Sequence, residues 1–150
     1  MVQIRMATEE NRDIIVGFQM KMAKDTEGLV LDEETINEGV MHVLRDAEKG
    51  KYFVAEEEGK VIASLLITYE WSDWRNKTVL WIQSVYVLPE YRNQGVYKEM
   101  YSHIKKWASE DGNVAGIRLY VDKTNKQAMA VYRKLGMDGE HYRLFEWMKD

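Results

Sequence analysis

The stretch VYVLPEYRNQGVYKEMY, Val85 to Tyr101, joins two patterns that could do chemistry together. Alternating apolar residues lead to Pro89. Arg92-Asn93-Gln94-Gly95-Val96 then opens a run in which Tyr97, Met100, Tyr101, Ile104, Trp107 and Ala108 recur at helical spacing. A helix start carries backbone N–H groups without acceptors and a partial positive charge, which together suit a phosphate. Gly95 lets the main chain approach such an anion closely, and Arg92 adds a guanidinium. On these residues alone packing is the other reading, because many helices begin near a glycine and bind nothing.

A second segment with chemical content is YEWSDWRN, Tyr69 to Asn76. Trp71 and Trp74 offer aromatic faces, and Glu70 and Asp73 offer carboxylates, a set that could hold an ammonium by cation–π contact and charge pairing. The same residues could instead form a hairpin loop folded over apolar surface. Other chemistry is missing. With no cysteine there is no disulfide or thiolate zinc site, and His42, His103 and His141 lie far apart without ligand spacing, so no metal is expected. No P-loop, dinucleotide-binding glycine motif, nucleophile elbow or H-E-x-x-H occurs. The net charge of −4 speaks against nucleic acid and weakly for a cationic substrate. The N-terminus lacks a signal-peptide apolar core and no apolar run would span a bilayer, so the expected setting is cytoplasmic, with no membrane partner.

The elements that must position these segments follow from periodicity and punctuation. Val2 to Met6 reads as a strand, and Thr8 as the cap of a helix carrying Ile14, Ile15, Phe18 and Met22 up to Gly28. A second helix begins at Asp32 or Thr35, buries Ile36, Val40, Val43 and Ala47, and is stopped by Gly50. Tyr52–Glu56, Val61–Tyr69 and Val79–Val87 read as an antiparallel run of strands, the middle one apolar on both faces and so central. After the Val96 helix come a strand at Gly116–Val121, a helix at Asn125–Leu135 and a last strand at His141–Met148. At 150 residues this is one domain, residues 1–150, of α/β class: a mixed sheet with helices on both faces.

Two sets of residues resemble a known family. Val85, Val87, Pro89, Glu90, Tyr91, Arg92 and Gly95 fit the V-x-V-x-P-E-Y-R-x-x-G-x-[GA] signature of the GNAT N-acetyltransferases. Asn125, Ala128, Tyr132, Lys134, Leu135, Gly136 and Met137 are similar to that family's second signature, at the right separation. The resemblance implies a GNAT-like, mostly antiparallel six- to seven-stranded sheet with a V-shaped splay between strands 4 and 5. It further implies acetyl-CoA (coenzyme A) as cosubstrate and transfer of the acetyl group, by direct attack, to a primary amine of a small molecule or peptide.

By the same resemblance, backbone groups of Val85, Tyr86 and Val87 would meet the pantetheine amides. Main-chain amides of Asn93, Gln94, Gly95, Val96, Tyr97 and Lys98 would cradle the diphosphate with Arg92, and Asn125 would lie along the cofactor arm. Tyr132 would serve the leaving thiolate. Tyr97 departs from the signature's Gly or Ala, and its helical spacing places it on the apolar face. Trp81 and Gln83 stand where many members carry a glutamate base, which leaves Glu70 first, then Asp73, or a water chain, to take the amine's proton. Trp71, Asp73, Trp74 and Gln83 would border the acceptor, as would the Lys24–Glu34 connection. The family's frequent dimers keep a homodimer open. The missing glutamate and Tyr97 support a second reading, a non-catalytic acyl-CoA-binding or interaction module on the same fold.

Overall fold

Where glycines, caps and hydrophobic runs break, the elements break too. A computed structural model describes residues 2–149, which group into two compact units, one up to Arg118 and one from Leu119 onward. In the first unit β1 (Gln3–Met6) leads to α1 (Arg12–Glu27) and α2 (Glu33–Arg45), followed by β2 (Lys51–Glu57), β3 (Lys60–Ser72) and β4 (Lys77–Val87). α3 (Val96–Glu110) and β5 (Val114–Arg118) complete it, and the second unit carries α4 (Lys126–Lys134). The sheet is five-stranded in the order β1-β2-β3-β4-β5, antiparallel throughout except that β4 and β5 run parallel. That exception follows from the α3 crossover, since a helix between strands returns the chain in the same direction.

Strand alternation assigns the two faces. Tyr52, Val54 and Leu66 pack with Ile15 and Val16 of α1 and Val40 of α2. Phe53 points the other way and meets His103 and Trp107 of α3, with ring centroids 5.5 and 6.0 Å apart. Helices therefore cover both faces of the sheet. β3 is central, as its two-sided apolar sequence requires. Along the α3 side Leu65, Ile67, Leu80, Ile82, Met100 and Ile104 are essentially inaccessible to solvent.

Several sequence expectations are corrected. The sheet has five strands among the described residues rather than six or seven, because His141–Met148 forms no strand. Its alternation is broken by the adjacent pairs Leu144-Phe145 and Trp147-Met148, and these side chains lie exposed. Thr8 starts not α1 but a single 3-10 turn, where its N–H donates to Asn11 Oδ1 at 2.9 Å. α2 ends at Arg45 rather than at Gly50, leaving Ala47 exposed in a turn. β5 starts and stops earlier than the Gly116–Val121 reading.

Gly50 has a different reason to be glycine. A Cβ there would sit 2.5 Å from the Ile67 carbonyl oxygen on β3, a backbone atom of the central strand that cannot yield cheaply. Gly50→Ala should therefore lower folding stability by about 1–3 kcal/mol, the usual range for overpacking. Denaturant unfolding checks this, and an unchanged midpoint would contradict it.

Candidate active site

β4 outlasts its neighbour. The β4–β5 ladder ends at the pair Trp81↔Arg118, while β4 continues to Val87. Beyond the Trp81↔Arg118 rung one side of β4 stays paired to β3 and the other has no β5 partner, the divergence expected between strands 4 and 5. The β3 pairing itself slips here. Ser64 faces Tyr86 and Leu66 faces Gln83, so β4 carries an extra residue in a bulge at Ser84, which takes the left-handed φ of 55°. A bulge restores the inward alternation one residue late and re-aims the groups beside it. Tyr86 thereby returns to the α1 side, its ring 5.1 Å from that of Phe18. Nothing in the sequence marks Ser84 as left-handed, so this feature escaped it.

The turn after β4 is held by its own side chains. Pro89–Tyr91 form a 3-10 turn. Arg92 Nε donates to the Val87 carbonyl at 2.8 Å, and its guanidinium lies 5.3 Å over the Tyr86 ring. Gln94 Nε2 donates to the Glu90 carbonyl at 2.8 Å. Asn93 and Gly95 take left-handed φ values of 62° and 80°, the first tolerated by asparagine and the second natural to glycine. Arg92 and Gln94, expected at the diphosphate through a side chain and an amide, thus also shape the loop.

α3 then starts without a cap. Its N-cap, Gly95, has no side chain to cap it, and its first bond runs from Glu99 N–H to the Gly95 carbonyl, so the N–H groups of Val96, Tyr97 and Lys98 precede the helical ladder. Elsewhere the sequence does supply caps: Asp32 accepts from Thr35 N–H in α2 and Asn125 from Ala128 N–H in α4, each at 3.0 Å. Open space surrounds Gly95 where a side chain would project. Tyr97 is half-buried and lies along the helix, its ring 6.4 Å from that of Tyr101.

On the face shared with α1 and α2, the apolar cluster gives way to a polar band. Register puts Thr68, Glu70, Trp81, Gln83 and Arg118 on that one face. Gln83 Nε2 donates to Thr68 Oγ1 at 3.1 Å. Glu70 Oε1 accepts from Trp81 Nε1 and from Arg118 Nη1, both at 2.8 Å, and Oε2 accepts from Arg118 at 3.0 Å. The indole bond first, then the guanidinium, hold the Glu70 carboxyl below its usual range, with Arg75 adding to the pull. A carboxylate so engaged is a poorer proton acceptor than the free group expected at this position.

Among the other expected residues, Asp73, Trp74 and Arg75 form the β3–β4 turn. Trp71 is 62% and Trp74 91% exposed, so neither covers a core. Asp73 Oδ1 accepts from the Trp74 N–H at 2.9 Å. Within the second unit, Asn125 caps α4, and Tyr132 is half-buried with its phenol pushed up by burial, so it stays protonated at neutral pH. Arg118 was missed in the sequence because its significance depends on strand register.

The start of α3 thus lies beside a strand end that has left β5. The chain belongs to the acetyltransferase (GNAT) family, whose model matches residues 19–137. A possible acetyltransferase from Clostridium difficile 630 shares 43% identity over 99% of this chain and 98% of its own, with a TM-score of 0.92. The aminoglycoside N-acetyltransferase AAC(6')-Iy in complex with CoA is alike in fold, with a TM-score of 0.80 at 17% identity over 99% of this chain and 95% of its own. Thialysine N-epsilon-acetyltransferase of Bos taurus is 32% identical over 76 residues, 51% of this chain and 44% of that one. The chain spans less than half the length of the curated relatives it matches. No helix among the described residues is long and apolar enough to cross a membrane.

The lowered carboxyl of Glu70 has a testable sign. Its stabilising effect is complete above the unfolded value near ~4.3 and is lost as pH falls through the lower folded value. For so exposed a pair the effect is below about 1 kcal/mol. The stability gap between wild type and Glu70→Gln, measured by urea unfolding, should therefore close as pH falls below about 4, as the linkage requires. A gap independent of pH would contradict the ion pair.

Proposed function

We propose that this chain is an acetyl-CoA-dependent N-acetyltransferase acting on a primary amine of a small molecule or peptide, with residues 1–150 as one acetyltransferase domain. The observation that supports it most is the uncapped start of α3 at Gly95, next in the chain to the part of β4 that has left β5. The residues present suit the cosubstrate. A diphosphate needs convergent N–H donors and positive potential, which Asn93 to Lys98 offer along the backbone. The amides of a pantetheine arm need free strand groups: alternation turns the backbone groups of Val85 and the N–H of Val87 away from β3, while Tyr86 pairs toward Ser64 and the Val87 carbonyl is held by Arg92.

When bound, acetyl-CoA supplies a thioester activated for attack. Arg92 adds charge at the turn while its Nε keeps the Val87 carbonyl. Asn125 and Tyr132 are assigned on the second signature, Asn125 to the cofactor arm and Tyr132 to protonating the departing thiolate. A phenol raised by burial suits a donor of that kind. A backbone N–H in Val85–Val87 is the donor for the acetyl oxygen.

An acceptor amine of pKa near ~10.4 must lose its proton before it attacks. With Glu70 held by Trp81 and Arg118, water carries that proton away. Gln83, Trp71, Asp73 and Trp74 are assigned to the acceptor. The exposed indoles and the carboxylate of the β3–β4 turn suit an ammonium. The thialysine and aminoglycoside acetyltransferases among the similar proteins favour small amines first.

A thiol-release screen with polyamines, amino acids, aminoglycosides and peptide N-termini tests the reading. Release with at least one class is expected. Acetyl-CoA binding without turnover on any of them would leave the non-catalytic acyl-CoA module. Gly95→Ala should weaken acetyl-CoA binding at least about tenfold, because a methyl enters the anion's approach at a left-handed residue, while costing the fold only about 1–2 kcal/mol. An unchanged dissociation constant by calorimetry would count against the anion site. Tyr132→Phe should lower kcat by on the order of 10²-fold with little change in acetyl-CoA affinity, and an unchanged kcat would remove the acid role.

A further inference from the structure

A carboxylate, an indole and a guanidinium from three adjacent strands meet at the point where β4 and β5 part. Trp81 and Arg118 are the last pair of the parallel ladder, and Glu70 on β3 accepts hydrogen bonds from both. We infer that Glu70 is a positioning residue: its bridge between Trp81 and Arg118 locks the last β4–β5 rung and fixes where the groove for the acyl-CoA arm opens. This rests on the reading above that acyl-CoA lies against the freed part of β4.

The physical need is clear from the sheet. Parallel pairing is slightly weaker per residue than antiparallel pairing, and terminal rungs open locally at little cost unless something ties them. The β5 strand is short, Val114–Arg118, so its final residue has no following rung to hold it. Loss of that rung would move the fork back along β4 by at least one residue, about 3.3 Å. A shift of about 1 Å is already enough to disturb a reacting geometry.

The bond pattern suits a tie better than a base. Glu70 Oε1 accepts from two donors, Trp81 Nε1 and Arg118 Nη1, and Oε2 accepts from the same Nη1, so both oxygens are already engaged. Arg118 reaches both oxygens through the one nitrogen Nη1, a charge-assisted contact. Trp81 contributes a donor that cannot act as an acceptor, so its preferred partner is a carboxylate or carbonyl. The bridge also crosses β4, linking two strands that are not neighbours in the sheet.

Wild type, Glu70→Gln, Arg118→Met and the double variant distinguish the roles in the full chain. Amide hydrogen exchange without ligand should speed up at Ile82 and Arg118 by about threefold in each single variant, with β2 and the centre of β3 unchanged, as local opening requires. Acetyl-CoA should bind about threefold more weakly in both, kcat at saturation should change less than about twofold, and the double variant should be no worse than either single one. The acidic limb of the kcat/KM profile should persist in Glu70→Gln.

Unchanged exchange at Ile82 and Arg118 would overturn the proposal. So would loss of the acidic limb with acetyl-CoA affinity intact, which would make Glu70 the base. Should the wild type bind no acetyl-CoA, the acetyltransferase reading fails, and the exchange measurement still decides whether Glu70 ties the strands. Glu70→Gln keeps the side chain's size and an acceptor for the indole, so it carries the test alone if Arg118→Met unfolds the chain.

Discussion

Every N–H and C=O of a strand must find a partner, and β4 is built so that half of its last residues do not find one in the sheet. Its β3 side is paired as far as Val87, while its β5 side is paired only to Trp81. The bulge at Ser84 lies inside this half-paired stretch, where the chain also bends and turns its groups. Pro89 follows within a few residues, and a proline has no N–H to offer a sheet. The strand is ended by its own sequence just after its partner has gone, and α3 then begins at Gly95, which has no side chain to cap it.

Such an arrangement persists only because both flanks are anchored. α3 buries Val96, Met100, Tyr101 and Ile104, so its first turn cannot swing away to find other acceptors. Burying an aliphatic side chain contributes roughly 1.5–3 kcal/mol, several times the net value of a single hydrogen bond. Packing therefore wins over capping, and the open donors remain affordable because the connection from Arg92 to Gly95 is exposed to water. On the strand side, Leu88 N–H bonds the Ile62 carbonyl and Arg92 closes on Val87, which fixes the connection at both ends.

How much of this was legible depends on whether the cause is local. The start of α3, the glycine there and the central position of β3 follow from spacing and turn chemistry within a few residues, as does Asp32, one of the two starts offered for α2. The bulge does not, because a serine at positive φ has no sequence mark and the slip exists only relative to β3. Gly50 was misread for the same reason. A glycine after a helical pattern looks like a stop, but this one is required by a carbonyl some seventeen positions along the chain, on another strand. The role of Arg118 depends on pairing across three strands, which periodicity cannot show. His141–Met148 failed in the opposite sense: its residues have strand character, but pairing, not propensity, makes a strand.

A protein with net charge −4 is an odd host for a polyanion if charge is counted over the whole chain. Counting is the wrong measure. Exposed charges farther apart than about 8–10 Å are largely screened at physiological salt, so the acidic surface elsewhere hardly reaches the start of α3. What acts there is short-ranged: aligned N–H dipoles, the helix end and the guanidinium of Arg92, which is already oriented by the Val87 carbonyl and the Tyr86 ring. The charge at the β3–β4 turn is local in the same way, where exposed indoles stand with the Asp73 carboxylate. On the proposed reading one fold offers an anion a backbone site and an ammonium a side-chain site, because directional donors govern the first and local carboxylates the second.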